Sequence, residues 1–302
     1  MMWIKQAKFF LLPQNKIPTA DTLEEVLSQN AFQSVSGLAL FSEGFTHAVQ
    51  FNDAFVFSTQ NSDKISIKKE ERILPAAAVN DLLEKRIIDI QNKNARKVGR
   101  KEKQQIKEQL TNELLPKTLT KSSHTHLYFV PKHGLLLVDN ANANRAENAV
   151  SRLREALGDL PATLPNTAQT PTTLMTQWLL NGECAGSFDL DNSCAMKSLN
   201  DETGTTIRIT NADLTTNEVQ QHVQNDKTVT QLGLVWQDKI SFVLADDFSI
   251  RRIHFLDIVQ EEAENDSDDL PALTAATQLL ATETLANMID ELIQLLGGLV
   301  KE

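Results

Sequence analysis

Two pairs of side chains have the types and spacing that metal-dependent chemistry uses. His124 and His126 would share one face of a strand, where two imidazoles could hold a metal ion. Asp246 and Asp247 could act as the carboxylate pair of a phosphoryl-transfer site. Neither pair has the further ligands that such sites need, and Asp is common in turns for conformational reasons alone. We therefore expect surface imidazoles at the first pair and a turn at the second.

The sequence lacks the motifs of common catalytic sites. It has no Gly-rich phosphate-binding loop, no Gly-x-Ser-x-Gly and no His-Glu-x-x-His. Its two cysteines, Cys184 and Cys194, have no second pair and no nearby histidines, so buried thiols are expected instead of a zinc site. We therefore expect no enzymatic activity, no cofactor and no metal ion.

Basic side chains cluster in the stretch NKNARKVGRKEKQQIK, residues 92–107, which contains one acid, Glu102. Such a cluster can bind the phosphates of a polyanion, although a run of charge most often forms a solvated surface. The seven cations are Lys93, Arg96, Lys97, Arg100, Lys101, Lys103 and Lys107.

The charge of the chain is divided between segments of opposite sign. Residues 64–121 contain 15 Lys and Arg against 8 Asp and Glu, a net charge of +7, in a chain whose net charge is −11. The other residues contain 14 against 32, a net charge of −18. This asymmetry predicts a polyanionic partner for the basic segment, while the acidic remainder opposes indiscriminate contact.

Two amphipathic helices are predicted to present the basic cluster. Residues 75–93 begin with a proline and carry apolar residues at helical spacing, and residues 100–115 show a similar apolar side. Gly99 is a suitable stop for the first helix. The cluster is therefore expected at the tip of a helical hairpin, with its charges exposed.

The remaining patterns predict an α+β fold. Further strands are expected at 8–12, 46–51, 55–59, 64–74, 125–130, 135–139, 228–236 and 240–246, and further helices at 145–157 and 172–181. A Pro-rich linker is expected at 158–171 and an acidic linker at 260–271. The expected domains are a central unit of residues 1–74 and 120–160, a hairpin tip of residues 75–119, and a C-terminal base for dimerisation of residues 161–302.

The N-terminal residues predict the compartment. No run of 18 apolar residues occurs anywhere in the sequence, and Lys5 and Lys8 interrupt the apolar stretch at its start. Neither a membrane-spanning helix nor a signal peptide is predicted. We expect a cytoplasmic protein without a membrane partner.

Five motifs give the chain a resemblance to a known family. They are KKEERILPAAAV (68–79), LLPKTLTK (114–121), GLLLVD (134–139), LREALGDLPATLP (153–165) and KTVTQLGLVWQDKISFVLADDFSIRRIHFLD (227–257). Together they resemble the RdgC family of recombination-associated proteins, and the similarity extends from the MMWIK start to the terminal helix.

The resemblance implies a nucleoid-associated protein that binds double-stranded DNA with little sequence preference and restrains strand exchange by RecA. It also implies a homodimer of elongated, crescent-shaped subunits that meet at both ends and form a ring around the duplex. The hairpin would be the tip of each subunit and the C-terminal unit its base. Such a ring needs cations facing the hole, because DNA carries one phosphate charge per about 1.7 Å of axis.

Twelve cations are the expected DNA contacts. The family pattern is basic at Arg72, Arg96, Lys97, Lys117 and Lys227. The candidates chosen by charge and position are Lys93, Arg100, Lys101, Lys121, Arg208, Arg251 and Arg252. For the last three arginines, salt bridges to the acidic remainder are the alternative interpretation.

Four leucines are the expected dimer contacts. A long C-terminal helix carries an apolar stripe suited to core or subunit packing, and its expected interface residues are Leu285, Leu292 and Leu296. Leu119 stands where the family motif usually has Phe, so the tip is expected to lack the aromatic contact of the family and to form either a weaker interface or an aliphatic one. The sequence ITNAD (209–213) lacks the cations or amides that the family often has after Arg208, which weakens the case for DNA contact there.

Two other functions remain open. A metal-dependent nuclease acting on recombination intermediates would also need DNA affinity, but the carboxylates lack a recognisable ligand set. An RNA-binding protein would expose aromatic residues for base stacking, and the sequence has one Tyr and three Trp. The sequence therefore favours a protein that binds duplex DNA and is not an enzyme.

Overall fold

A computed structural model of the chain describes residues 3–198, 204–225, 227–265 and 269–300. Its helices and antiparallel sheets confirm the predicted α+β class. The strands are β1 (Lys8–Leu11), β2 (Phe41–Thr46), β3 (Val56–Ser58), β4 (Asp63–Arg72), β5 (Thr120–Val130), β6 (Leu135–Val138), β7 (Phe188–Ser198), β8 (Thr206–Thr210), β9 (Lys227–Trp236), β10 (Ile240–Ala245) and β11 (Ile250–Phe255). The helices are α1 (Ala20–Gln29), α2 (Ala76–Asn94), α3 (Arg100–Leu114), α4 (Ala143–Leu157), α5 (Pro171–Asn181), α6 (Asn217–Gln224), α7 (Asp257–Asn265) and α8 (Leu270–Leu295).

The described strands form two sheets. The first has the order β1-β6-β5-β4-β2, with β3 paired to β4, and the second has the order β11-β10-β9-β7-β8. Hairpins join β5 to β6 and β9 to β10, in the register that places Val130 opposite Leu135 and Trp236 opposite Ile240. Gly134 closes the first hairpin at φ +62°, a conformation that glycine adopts without strain.

Contacts divide the chain into two compact units. Unit 1 comprises Met1–Leu27, His47–Ser66 and Thr125–Glu302, and unit 2 comprises Ser28–Thr46 and Ile67–His124. The predicted central unit, hairpin tip and C-terminal base were assigned from expected roles, whereas these two units are defined by contacts. The three-part division therefore remains a prediction. No helix of the described residues is long and apolar enough to span a membrane.

Unit 1 has a large hydrophobic core on one face of the second sheet. Residues Leu232 and Leu234 of β9 and Phe242 of β10 are buried there with Trp178 of α5. Both α5 and α8 begin with a side-chain cap and a proline in the first turn, which satisfies a main-chain N–H group of each helix. Burying one large apolar side chain stabilises a fold by about 1.5–3 kcal/mol, so this core holds the sheet rigidly.

Unit 2 is built around the helical hairpin of α2 and α3. The hairpin confirms the two predicted helices, but it buries few apolar side chains: Val79 and Leu83 from α2 and Ile106 from α3. Its outer surface exposes Ile88 as well as the basic residues. The hairpin therefore has a much thinner core than unit 1.

Several predicted boundaries of strands and helices differ from the structure. Residues 47–51 do not form a strand: the strand in this region is β2, which ends at Thr46, and the Asn52 side chain accepts a hydrogen bond from the Ala54 N–H group in the turn that follows. The first hairpin helix does not end at Gly99. It ends at Asn94, its C-cap Ala95 has φ +48°, and Gly99 is instead the N-cap of α3.

The predicted acidic linker is also wrong over much of its length. Residues Asp257–Asn265 form α7, which packs against α8 and buries Val259 and Ala263. The exposed acids on its other face are what made the segment resemble a solvated linker. Residues 266–268 lie outside the described part of the chain.

Candidate nucleic-acid interface

The hairpin turn exposes most of the basic cluster. The cluster spans the last turn of α2, the connection, and the first two turns of α3. The side chains of Lys93, Lys97 and Lys101 are exposed, and no carboxylate of the described residues forms a salt bridge with them. Their charges are therefore available to an external anion.

A groove of about 380 Å³ runs between the two hairpin helices. Arg100, Lys103 and Lys107 line it from α3, because their spacing places them on one side of that helix. Glu84 of α2 is the one carboxylate in the lining. The groove is consequently positive and open to phosphate groups.

One predicted contact, Arg96, is engaged by an acid of the same cluster. Its two terminal nitrogens donate to the two carboxylate oxygens of Glu102, both at 2.7 Å. The hydrogen bond to Glu102 raises the pKa of Arg96, and the hydrogen bond from Arg96 lowers the pKa of Glu102. Because the pair is exposed, it contributes little to stability. A phosphate would have to replace Glu102 as the partner of Arg96.

Arg72 has a structural role that the sequence did not predict. Its guanidinium donates to the main-chain oxygens of Ala39 at 3.1 Å, Leu115 at 2.6 Å and Gly37 at 3.4 Å. These bonds fix the loop before β2 and the end of the hairpin, both within unit 2. Arg72 therefore adds charge to the surface, but most of its donors are already used.

Exposed apolar side chains surround the start of β5. Leu119 is 80% exposed between the exposed Lys117 and Lys121. The main-chain bond from Ile73 to Leu119 and that from Arg72 to Leu40 bring neighbouring segments beside it. We call this surface the tip patch. Its residues are Leu38, Leu40, Phe41, Ile73 and Leu119.

Three predicted arginines line one groove on the second sheet, within unit 1. Arg208 of β8 and both Arg251 and Arg252 of β11 surround a cavity of about 250 Å³. Their predicted alternative partners are not seen, because no carboxylate of the described residues forms a salt bridge with any of the three. Lys227 lies apart at the start of β9, half-buried and opposite Ser198.

The expected dimer contacts on α8 and just after it need correction. Leu285, Leu292 and Leu296 are completely buried in the core of unit 1. Their spacing suited either core or subunit packing, and the structure favours the core. These three side chains have no exposed surface for a partner, which leaves Leu119 as the remaining candidate contact.

The candidate metal pairs take ordinary roles. His126 is buried, contrary to the prediction, and its Nδ1 lies 2.6 Å from Ser66 Oγ, whereas His124 is exposed. Asp247 forms the predicted turn by accepting the Ser249 N–H group. Among the described residues, no group of three or more His, Cys, Asp and Glu side chains is arranged to hold a metal ion.

The two cysteines are thiols whose pKa values are raised. Burial raises the pKa of Cys184 to about 12, with a further rise from Asp189, and raises the pKa of Cys194 to about 11. Neither is disulfide-bonded, and Cys194 is the more buried of the two. A thiol with so high a pKa is a poor nucleophile at neutral pH.

Unit 1 contains a buried polar cluster that the sequence did not predict. Lys64 of β4 lies over the ring of Tyr128, 5.9 Å from its centroid, and both line a cavity of about 50 Å³. Burial lowers the pKa of Lys64, raises that of Tyr128, and raises that of Asp139 to about 6 against the attraction of Lys64. A lysine in a strand normally indicates exposure, so only the structure identifies this cluster.

Comparisons with known proteins agree with the sequence motifs. A family model described as "Putative exonuclease, RdgC" matches residues 2–299. A recombination-associated protein RdgC from Neisseria meningitidis is 48% identical over 98% of this chain and 99% of its own length. Proteins of the same name from Laribacter hongkongensis and Pseudomonas aeruginosa are 42% and 37% identical, each over 98% of this chain and 99% and 98% of their own lengths. The chain belongs to the RdgC family.

Proposed function

We propose that this chain binds double-stranded DNA through its phosphates, with little sequence preference, and is not an enzyme. The observation that carries the proposal is the exposed basic cluster on a hairpin of an otherwise acidic chain. The positive groove between α2 and α3 supports it further, because one carboxylate faces three cations there. Cations arranged in this way bind phosphates by releasing counterions, which requires no contact with base edges.

The proposed assembly is a ring-shaped homodimer around the duplex. The tip patch supports self-association, because its five apolar side chains are 48–80% exposed and a single chain does not cover them. The names of the relatives connect them with recombination. A ring that encloses duplex DNA would restrain RecA by keeping the enclosed segment from strand exchange, and it would associate with the nucleoid through non-specific binding.

The family model is described as an exonuclease, so nuclease activity is the alternative to DNA binding alone. The candidate acids Asp246 and Asp247 lie at a turn, and Asp247 is paired with Lys8 at 3.2 Å. Incubating the protein with linear duplex and Mg²⁺ separates the alternatives. We expect intact DNA, and protein-dependent shortening from the ends would favour a nuclease.

The basic cluster provides the main test of DNA binding. Changing Arg96, Lys97, Arg100 and Lys101 together to Gln should leave thermal stability nearly unchanged, because exposed charges contribute little to it. Affinity for duplex DNA should fall. The slope of log affinity against log salt should decrease by about 0.9 for each phosphate that the variant no longer neutralises, summed over both subunits.

The matched control changes four cations outside the cluster, Lys5, Lys16, Lys132 and Arg145, to Gln. These side chains are exposed. Lys8 is excluded because it is buried and donates to Asp247. Equal changes in salt slope for the two variants would assign the cluster to a merely solvated surface. Affinities for two unrelated duplexes that differ by more than about a hundredfold would contradict non-specific binding.

A further inference from the structure

Strand β11 has an irregularity where it pairs with β10. The register shifts between Ser241 and Val243 of β10, and at that point β11 has one residue more than β10. Arg252 lies in this bulge with φ +52°. Glycine normally occupies such a left-handed position, because a side chain there meets the following carbonyl oxygen.

Main-chain hydrogen bonds, and not the Arg252 side chain, hold the strained bulge: the Ile253 N–H group donates to Lys5, and Ile250 pairs with Ala7. The side chain is exposed and forms no salt bridge with the described residues. A strained residue persists only where the surrounding structure enforces it, and such residues concentrate at functional sites. The strained backbone at Arg252 is therefore explained by where it places the arginine side chain. It is not explained by a gain in the stability of the strand.

The bulge determines which way two consecutive arginines point. In a regular strand Arg251 and Arg252 would lie on opposite faces, and one of them would enter the core. The observed burial is different: Ile250 and Ile253 are buried on the core side, and both intervening arginines remain outside the core. Both line the same groove. One extra residue thus turns an alternating pair into two guanidinium groups on one face.

The groove receives a third arginine from the other edge of the sheet. Strands β8 and β11 are four strand spacings apart, or about 19 Å. Arg208 reaches into the groove from β8, and the polar side chains of Ser193, Thr210 and Gln231 also line it. Guanidinium groups bind phosphate oxygens with paired hydrogen bonds, and hydroxyl and amide groups can add donors between them.

We propose that the bulge at Arg252 builds a site that binds the phosphodiester groups of DNA. Arg251 and Arg252 contact phosphates of one DNA strand, and Arg208 contacts a phosphate at the opposite side of the protein groove. This inference rests on the proposed binding of duplex DNA. It adds a specific site in unit 1 to the basic cluster of unit 2. It also explains why an arginine occupies a glycine-like position.

The decisive variant is Arg252→Gly. Arg251→Gln is a second single variant of the same site, and Arg145→Gln is the matched control. Glycine fits the left-handed position, so we expect Arg252→Gly to keep or raise the thermal midpoint. The same variant should lower the affinity for a duplex and decrease the salt slope by about 0.9 per subunit. Arg251→Gln should decrease the slope similarly without raising the midpoint, and Arg145→Gln should change the slope less.

The outcomes separate this site from DNA binding itself. Wild-type protein that fails to bind duplex would overturn both proposals. Wild-type protein that binds, with affinities and slopes for Arg252→Gly and Arg251→Gln equal to those of Arg145→Gln, would overturn only the site. If Arg252→Gly unfolds the protein, Arg251→Gln decides the question, because its backbone conformation is not left-handed.

Discussion

The two basic regions of this protein are built in different ways. The basic cluster of unit 2 lies on two helices that bury few apolar side chains, and most of its cations are exposed lysines and arginines at a turn. The three arginines of unit 1 lie on strands above a large core, and one of them occupies a strained bulge. The first region has many cations on a scaffold with a small core. The second has few cations, and its strands fix where each arginine is attached.

The two regions can therefore contribute differently to binding: one attracts a polyanion, and the other determines where its phosphates lie. Exposed cations on a thin scaffold raise the local potential for a polyanion but do not require one geometry. Arginines fixed on a rigid sheet favour phosphates at particular positions. A protein that binds DNA without sequence preference can use both, because backbone spacing is the same in every sequence.

The largest expected effect tests whether the unit 1 core is the rigid part. Leu292→Asp places a carboxylate in a completely buried position and should destabilise unit 1 by more than about 4 kcal/mol, which is enough to prevent folding. Leu119→Asp on the tip patch changes an exposed side chain and should lower the free energy of unfolding far less, by no more than the lost subunit contact contributes. Urea denaturation monitored by circular dichroism measures both.

The same pair of variants examines the proposed dimer. Sedimentation at micromolar concentration should show a wild-type dimer, and Leu119→Asp should weaken it by removing an apolar contact at the tip, while each subunit remains folded. A monomeric wild type would exclude the dimer. A folded Leu292→Asp protein would show that the core tolerates a buried charge and that the contrast between the two regions is overstated.

A smaller effect concerns the buried Asp139 in unit 1. Burial raises its pKa to about 6, while Lys64, the Gln6 main-chain bond and Lys5 act in the opposite direction. Because the folded pKa lies above the unfolded value of about 3.9, the carboxyl stabilises the fold below about pH 4, and this contribution is lost as the pH rises through about 6. The loss between pH 4 and pH 7 should be about 3 kcal/mol.

The measurement compares wild type with Asp139→Asn at each pH. The Asn variant should gain relative stability by about that amount between pH 4 and pH 7, because its amide does not ionise. Thermal or urea denaturation at four or five pH values gives the difference directly. A difference that stays constant across this range would mean that Asp139 is solvated in the folded protein.

The smallest effect concerns the Arg96–Glu102 pair in the hairpin. Glu102→Gln removes the acid that holds Arg96 and should change stability little, because the pair is exposed. The freed guanidinium should then bind phosphate, and the salt slope for duplex binding should become steeper by about 0.9 per subunit. Glu108→Gln, which removes an exposed acid not paired with Arg96, is the control. Equal slopes would place Arg96 outside the DNA contact.

Much of the fold was predictable because periodicity is local. The apolar spacing of 75–93 and 100–115 correctly predicted the helical hairpin of α2 and α3. The residue patterns of 228–236 and 240–246 correctly predicted strands β9 and β10. The acidic face of α7 concealed its helical period, so that element was missed. Local patterns therefore gave the elements wherever one face was clearly apolar.

The candidate sites were less predictable, because they depend on tertiary contacts. Composition located the basic cluster, but not the bonds that engage Arg72 with three carbonyl oxygens. The leucine stripe fits a core as well as an interface, and only burial distinguishes them. The bulge at Arg252 results from strand pairing, which no local pattern records.

If the chain binds duplex DNA as proposed, the thin core of the hairpin affects its movement along that DNA. Elements with little buried apolar surface open and fluctuate at low free energy, so the cations on α2 and α3 can adjust their positions at little cost. Non-specific DNA-binding proteins slide because successive phosphate registers have nearly equal energy. A compliant hairpin would lower the barriers between registers, and it would let the protein diffuse along the duplex while it stays bound.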